Sequence, residues 1–146
     1  MSRETIALAS DHAGYGLKSL LAEELAKLGH NVLDLGADSE ESVDYPDYGR
    51  AMGEAIAEGR VTRGVIVCGS GIGISIAANR NPAVRAALCS DETSARLARQ
   101  HNDANVLALG ARLVGEEVAK ACLKVFLETE FEGGRHQRRV DKLGQA

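Results

Sequence analysis

Short runs of apolar residues alternate along this chain with longer segments whose apolar positions recur three and four apart. Thr5-Ile6-Ala7-Leu8-Ala9 is the first run, ending at Ser10-Asp11-His12. A run that is apolar throughout suits a parallel strand buried on both faces. Leu17, Leu20, Leu21, Leu25 and Leu28 then fall on one helical face, and Gly29 stops that helix. Val32-Leu33-Asp34-Leu35 predicts a second strand. Gly36 to Asp47 reads as a polar loop containing Asp44-Tyr45-Pro46-Asp47, and Met52, Ala55 and Ile56 mark a helix ending near Gly59. Gly64-Val65-Ile66-Val67 predicts the third strand. Cys68-Gly69-Ser70-Gly71-Ile72-Gly73 follows as a glycine loop, and Ile74 to Asn79 as the start of a helix.

Val84 to Cys89 reads as a fourth strand, and Asp91 to Gln100 as a helix with Ser90 as its N-cap. His101-Asn102 is then expected just past the helix end. Asn105 to Leu109 is the fifth strand, followed by Gly110-Ala111-Arg112. Val114, Val118, Cys122, Val125 and Phe126 predict a long amphipathic helix, Gly133-Gly134 a joint, and Arg135 to Leu143 a basic terminal helix. Strand and helix alternating in this way imply a three-layer α/β/α, Rossmann-like arrangement around an open parallel sheet of five strands. One domain over residues 1–146 accommodates it. Ligands of such sheets bind beyond the carboxyl ends of the strands. Asp11, His12, the loop from Cys68 to Gly73, and Arg112 all follow strands.

Composition narrows the function. Aromatic residues make up only 3% of the chain and Trp is absent, so base-stacking on single-stranded nucleic acid is poorly supported. A net charge of -4 argues against a general polyanion partner. No apolar run approaches the ~18 residues of a membrane span, and the first residues carry no leader pattern. Cys68, Cys89 and Cys122 show neither zinc nor redox spacing, which suits free thiols in a reducing cytoplasm.

The glycine loop fails the spelling of two nucleotide motifs. A phosphate-binding Walker loop needs Lys-Ser or Lys-Thr after its last glycine, but Ile74-Ser75 stands there. The dinucleotide fingerprint needs a sixth-position glycine, and that place holds Ile74 or Ile76. Asp91 lies about 20 residues on, the spacing of a ribose-binding acid, yet its setting suits a helix start better. What distinguishes the loop is Cys68 at its mouth. Free cysteine is most often a small buried apolar residue, which is the reading for Cys89 and Cys122. Position favours a chemical role for Cys68, as nucleophile or general base beside a helix N-terminus. Asp11-His12 reads either as a turn and cap or as site residues, and His101-Asn102 either as a helix end or as site residues. Arg135 and Arg139 share one helical face, suited to clamping an anion or to a solvated basic tail.

Taken together, Ser10-Asp11-His12-Ala13-Gly14, Asp44-Tyr45-Pro46-Asp47, the stretch from Cys68 to Asn79, Arg99-Gln100-His101-Asn102-Asp103, and Gly133-Gly134-Arg135-His136-Gln137-Arg138-Arg139-Val140 resemble the type B ribose-5-phosphate isomerases. Their wider family includes isomerases of galactose, allose and tetrulose phosphates. The resemblance spans nearly the whole chain. It implies strand order 2-1-3-5-4 and a homodimer or homotetramer whose active sites a neighbouring subunit completes. It also implies aldose–ketose isomerisation of ribose 5-phosphate through an enediolate, without metal or cofactor, in pentose phosphate metabolism. Cys68 would move the proton between C2 and C1, and His101, with Asp11 in support, would assist ring opening. Ser70 and the amides of Gly69, Ser70, Gly71, Ile72 and Gly73 would hold the oxyanion. His12, Arg112, Arg135 and Arg139 would hold phosphate, Asn102 a sugar hydroxyl or the enediolate, and Tyr45 a pocket wall. Some relatives carry a glutamate base where this chain has Ile74, so Cys68 places it with the cysteine-base branch. Ser70 stands where many of these have threonine and keeps the hydroxyl. A noncatalytic phosphate-binding module is the reading from a different class.

Overall fold

A computed structural model describes residues 3–145. Five parallel strands form its sheet: β1 (Thr5–Ser10), β2 (Asn31–Asp34), β3 (Arg63–Cys68), β4 (Ala86–Leu88) and β5 (Val106–Gly110). Their order is β2-β1-β3-β5-β4, as the resemblance implies. Six helices accompany them: α1 (Tyr15–Lys27), α2 (Tyr45–Ala57), α3 (Ile72–Asn79), α4 (Glu92–Asn102), α5 (Glu116–Glu128) and α6 (Arg135–Leu143). Among the described residues, no helix is long and apolar enough to cross a membrane.

Strand side chains point alternately to the two faces of the sheet, and the residues divide by size accordingly. Ile6, Leu8, Val65, Val67, Leu107 and Leu109 pack with α1, α4 and α5. Ala7, Ala9, Ile66, Cys68, Val106 and Ala108 pack with α2 and α3. The smaller side chains of the second face let α2 and α3 lie close. At Gly64 an added Cβ would collide with the Met52 sulfur. Cys68 is the last residue of β3 and points to this second face, under the start of α3.

Several local expectations are corrected. Asp44-Tyr45-Pro46-Asp47 opens α2 instead of lying in a loop: Asp44 is the N-cap and Pro46 occupies the first turn, where its missing N–H costs nothing. Asp91, not Ser90, caps α4; its carboxylate accepts the Ser94 N–H at 2.6 Å. β4 is only three residues long. His101 and Asn102 form the last turn of α4 and do not follow it, because Asp103, at φ 46°, makes the left-handed C-cap. Arg99 holds that turn by donating to Asp103 Oδ1 and to the Ala104 carbonyl. On α1, Leu28 is exposed, while Lys18 is fully buried between Asp34 Oδ1, at 2.7 Å, and the Ala37 carbonyl.

Candidate active site

The carboxyl ends of β1, β3 and β5 converge on one hollow. Gly14 stands so close to β3 that a Cβ there would lie 2.5 Å from the Val67 carbonyl oxygen. Asp11, at the turn after β1, is buried and accepts the Gly14 N–H at 3.0 Å. It therefore both braces the turn and lines the hollow. On the other side, the Arg112 N–H donates to the Gly69 carbonyl at 2.9 Å. That bond sets the arginine beside the glycine loop, with its guanidinium over Gly69.

Between them the chain must turn sharply from β3 into α3. Gly71 makes the turn with φ 79°, and a Cβ there would meet the Leu109 carbonyl oxygen at 2.9 Å. Only glycine fits such a place easily. The turn aims amides inward. The Gly71 N–H donates to Cys68 Sγ at 3.1 Å, and the Ile72 N–H donates to Ser70 Oγ at 3.2 Å. These two amides are thereby committed, which narrows the expected oxyanion set. The Gly73 amide lies in the first turn of α3, where an N–H has no intrahelical acceptor. The Ser70 hydroxyl hydrogen also remains for a ligand. Tyr45, at the head of α2, packs its ring against Gly73 so closely that any Cβ would collide with it.

The resulting hollow holds about 550 Å³ and is lined by Asp11, Tyr45, Cys68, Gly69, Ser70, Ile72, Gly73, Ile76, Arg112 and Leu113. A cleft of about 600 Å³ adjoins it, sharing Tyr45, Gly73 and Ile76 but lacking the sulfur. Cys68 is 4% exposed. Its apolar neighbours surround most of it, yet it lines the hollow together with Arg112. Cys89 and Cys122 are buried elsewhere. Burial pushes the Cys89 thiol up, and pushes Cys122 up to about 11. His12 is near but does not line the hollow: its Nδ1 accepts the Val43 N–H at 3.1 Å, which leaves Nε2 to carry the proton. Sequence reasoning missed Ile76 and Leu113. They are exposed apolar residues at the rim; the spacing of Ile72 and Ile76, opposite buried Ile74 and Ala78, was the signal for Ile76, and Leu113 had none.

The remaining expected residues lie elsewhere. α4 runs back against the strand direction, so His101 and Asn102 reach the amino ends of the sheet. Asn105, just beyond them, receives the Gly64 N–H at the start of β3. Cys68 sits four residues farther along, roughly 13 Å at the usual strand rise. Asn102 lines a separate cleft of about 360 Å³ with Arg85 and Leu143. Arg135 and Arg139 are exposed on α6, which packs on α4. The predicted site thus falls into two groups within one chain. Cys68, Ser70, Asp11, Tyr45 and Arg112 form the first, and His101, Asn102, Arg135 and Arg139 belong to the second.

Beside His101 lie two residues that sequence reasoning passed over. The His101 and His136 rings stack at 4.5 Å with 16° between planes. Glu132 Oε1 is 3.5 Å from His136 Nε2 and 3.9 Å from His101 Nε2. The donor atoms of all three lie within 4.8 Å of one another. Near-parallel rings, however, send their in-plane lone pairs side by side and not toward one point, and Arg135 and Arg139 share this end of α6. A cation is a poor fit to that arrangement.

The family profile described as Ribose/Galactose Isomerase matches residues 6–143. Ribose-5-phosphate isomerase B of Escherichia coli (strain K12) is 47% identical over 138 residues, covering 94% of this chain and 93% of that protein. The solved structure of Clostridium thermocellum ribose-5-phosphate isomerase B matches with a TM-score of 0.95 at 50% identity, covering 97% of this chain and 95% of that one. A ribose 5-phosphate isomerase of Thermotoga maritima matches with a TM-score of 0.96 at 47% identity, covering 99% and 100%.

Proposed function

We propose that this chain, which belongs to the ribose/galactose isomerase family, interconverts ribose 5-phosphate and ribulose 5-phosphate as a single isomerase domain over residues 1–146. The observation that carries the reading is the Cys68 sulfur, which lines an amide-edged hollow facing Arg112. An aldose–ketose isomerase needs a base beside C1 and C2, donors for the oxygens that become negative, and a cationic grip on phosphate. The hollow supplies the first two and part of the third.

The reaction begins on the closed sugar. His101 gives a proton to the ring oxygen as the C1–O bond breaks, while the Asp11 carboxylate, which lines the hollow, takes the proton of the anomeric hydroxyl and C1=O forms. Cys68, as the sulfur anion, then takes the C2 proton, and the electron pair moves through C1 to the carbonyl oxygen. The Gly71 amide, which donates to Cys68 Sγ at 3.1 Å, is placed to partner that anion when it forms. Ser70 and the Gly73 amide hold the enediolate oxygens, which is where preorganised donors lower the barrier most. A proton passes from O2 to O1, which moves the charge to O2; return of the proton from Cys68 to C1 as C2=O forms then gives the ketose. A positioned acid or base contributes about 10²–10⁴-fold in such steps. His12, through Nε2–H, joins Arg112, Arg135 and Arg139 around phosphate, and Asn102 holds a sugar hydroxyl.

Because His101, Asn102, Arg135 and Arg139 lie on the far side of the sheet from Cys68, a second copy of the chain must bring them over the hollow. The exposed apolar rim of Ile72, Ile76 and Leu113 is suited to being covered in such a dimer. Rates measured side by side on ribose 5-phosphate, allose 6-phosphate and erythrulose 4-phosphate test the assignment. Highest kcat/KM on ribose 5-phosphate is expected. Turnover of none of them, with phosphate binding retained, would leave a binding module and defeat the isomerase reading.

A further inference from the structure

We propose that Glu132 and His136 are positioning residues for His101, holding its imidazole in the attitude needed to deliver a proton to the sugar ring oxygen. The inference rests on the ring-opening role assigned to His101 above.

Three features of the backbone build this arrangement. The Glu132 N–H donates to the Gln100 carbonyl at 3.1 Å, which ties the segment before α6 to the last turn of α4. Arg99 adds a second tie, donating through Nε to the Thr129 carbonyl at 3.0 Å. Gly133 and Gly134, at φ 68° and 55°, then reverse the chain and carry His136 back over His101. Both glycines are open to added atoms on their Cα side, so their requirement is one of backbone conformation.

The side chains complete it. His136 is only 8% exposed, yet one of its faces lies on the half-exposed His101 ring. An imidazole at a helix end and partly in solvent would otherwise turn about its side-chain bonds. Stacking on a fixed, buried ring removes most of that freedom. The Glu132 carboxylate faces the Nε2 atoms of both rings. At 3.9 Å from His101 the carboxylate acts through its charge and not through a hydrogen bond, favouring the ring orientation that turns Nε2 toward it and leaving the other nitrogen for proton exchange. Neither Glu132 nor His136 needs to touch substrate for this.

The sugar's own chemistry supplies a selective test. Ribose 5-phosphate is predominantly a closed furanose and must be opened. Ribulose 5-phosphate has its carbonyl at C2 and a phosphorylated O5, so it cannot close a furanose ring. Exchange of its C1 hydrogen with solvent deuterium needs the enediolate step but not ring opening. The full-length Glu132→Gln protein should convert ribose 5-phosphate about 10-fold more slowly in kcat, a modest part of the ~10²–10⁴ that a positioned acid contributes. Its KM and its exchange rate on ribulose 5-phosphate should stay near those of the unaltered protein. His136→Leu, which removes the stacked ring, should show the same selective loss. Equal loss in both reactions would mean a merely structural role and overturn the proposal, as would undiminished forward turnover in both variants. An unaltered protein that catalyses neither reaction would defeat the isomerase reading itself, an outcome distinct from the other two.

Discussion

Mixing two inactive variants should restore activity, because one chain does not bring the proposed catalytic groups together. Cys68 ends β3 at the carboxyl side of the sheet, whereas His101 ends α4 at the amino side. The two ends of β3 alone are separated by roughly 13 Å between Gly64 and Cys68, far beyond side-chain reach of one sugar. Cys68→Ala removes the proposed proton carrier and His101→Asn the proposed ring-opening acid. Each alone should lose about 10²–10⁴-fold in kcat. In a two-fold dimer with shared sites, a mixed pair holds one site with both lesions and one with neither. Equal amounts pairing at random make half of the dimers mixed, so total activity should return to about a quarter of the unaltered level. Mixed dimers purified through two different affinity tags should reach about half. The assay is ribulose 5-phosphate formation after coexpression. Activity no higher than the mean of the two parents would refute the shared site.

Three further outcomes follow from the geometry. Burial keeps the Cys89 and Cys122 thiols protonated at neutral pH, the latter with its pKa up to about 11, while Cys68 lines an open hollow. Iodoacetamide should therefore modify Cys68 first, with loss of turnover and protection by ribose 5-phosphate; peptide mapping that finds Cys89 or Cys122 first would contradict this. Arg139→Ala should raise KM for phosphorylated sugars about 10–100-fold, the worth of a charged hydrogen bond, with little effect on free sugars; equal loss on both would remove Arg139 from the phosphate grip. Asp34→Asn leaves the buried Lys18 ammonium with the Ala37 carbonyl and no carboxylate, and should cost about 2 kcal/mol in urea unfolding, discounted because Asp34 itself is half-exposed. An unchanged midpoint would show that the pair adds nothing.

The three central strands were legible because they are buried on both faces and so read as unbroken apolar runs, from Ile6-Ala7-Leu8-Ala9 in β1 to Val106-Leu107-Ala108-Leu109 in β5. The loop from Cys68 to Gly73 was legible for a related reason: alternate glycines between a strand and a helix serve close approach, and Gly71 has the backbone that demands one. Choices decided by single hydrogen bonds were harder. Ser90 and Asp91 are both good caps, and only the bond to the Ser94 amide selects Asp91. Nothing in the sequence marked Lys18 as buried, because its burial depends on Asp34 and Ala37, which approach only in the folded sheet. Glu132 and His136 were hidden by the same distance effect, since the two glycines that fold them onto His101 carry no sign of where the chain returns. The pattern of the chain names the residues of the second group but not their place, which requires knowing that α4 descends to the amino ends of the strands.

Cys68→Ala, studied by proton exchange and binding together, bears most directly on the role given to that sulfur. The account predicts that the variant still binds ribose 5-phosphate with near-normal affinity, since Arg112 and the loop amides remain. It should nonetheless exchange neither the C2 hydrogen of the aldose nor the C1 hydrogen of the ketose with solvent. Exchange at close to the unaltered rate would show that some other group moves the proton, and the mechanism built around Cys68 would be wrong.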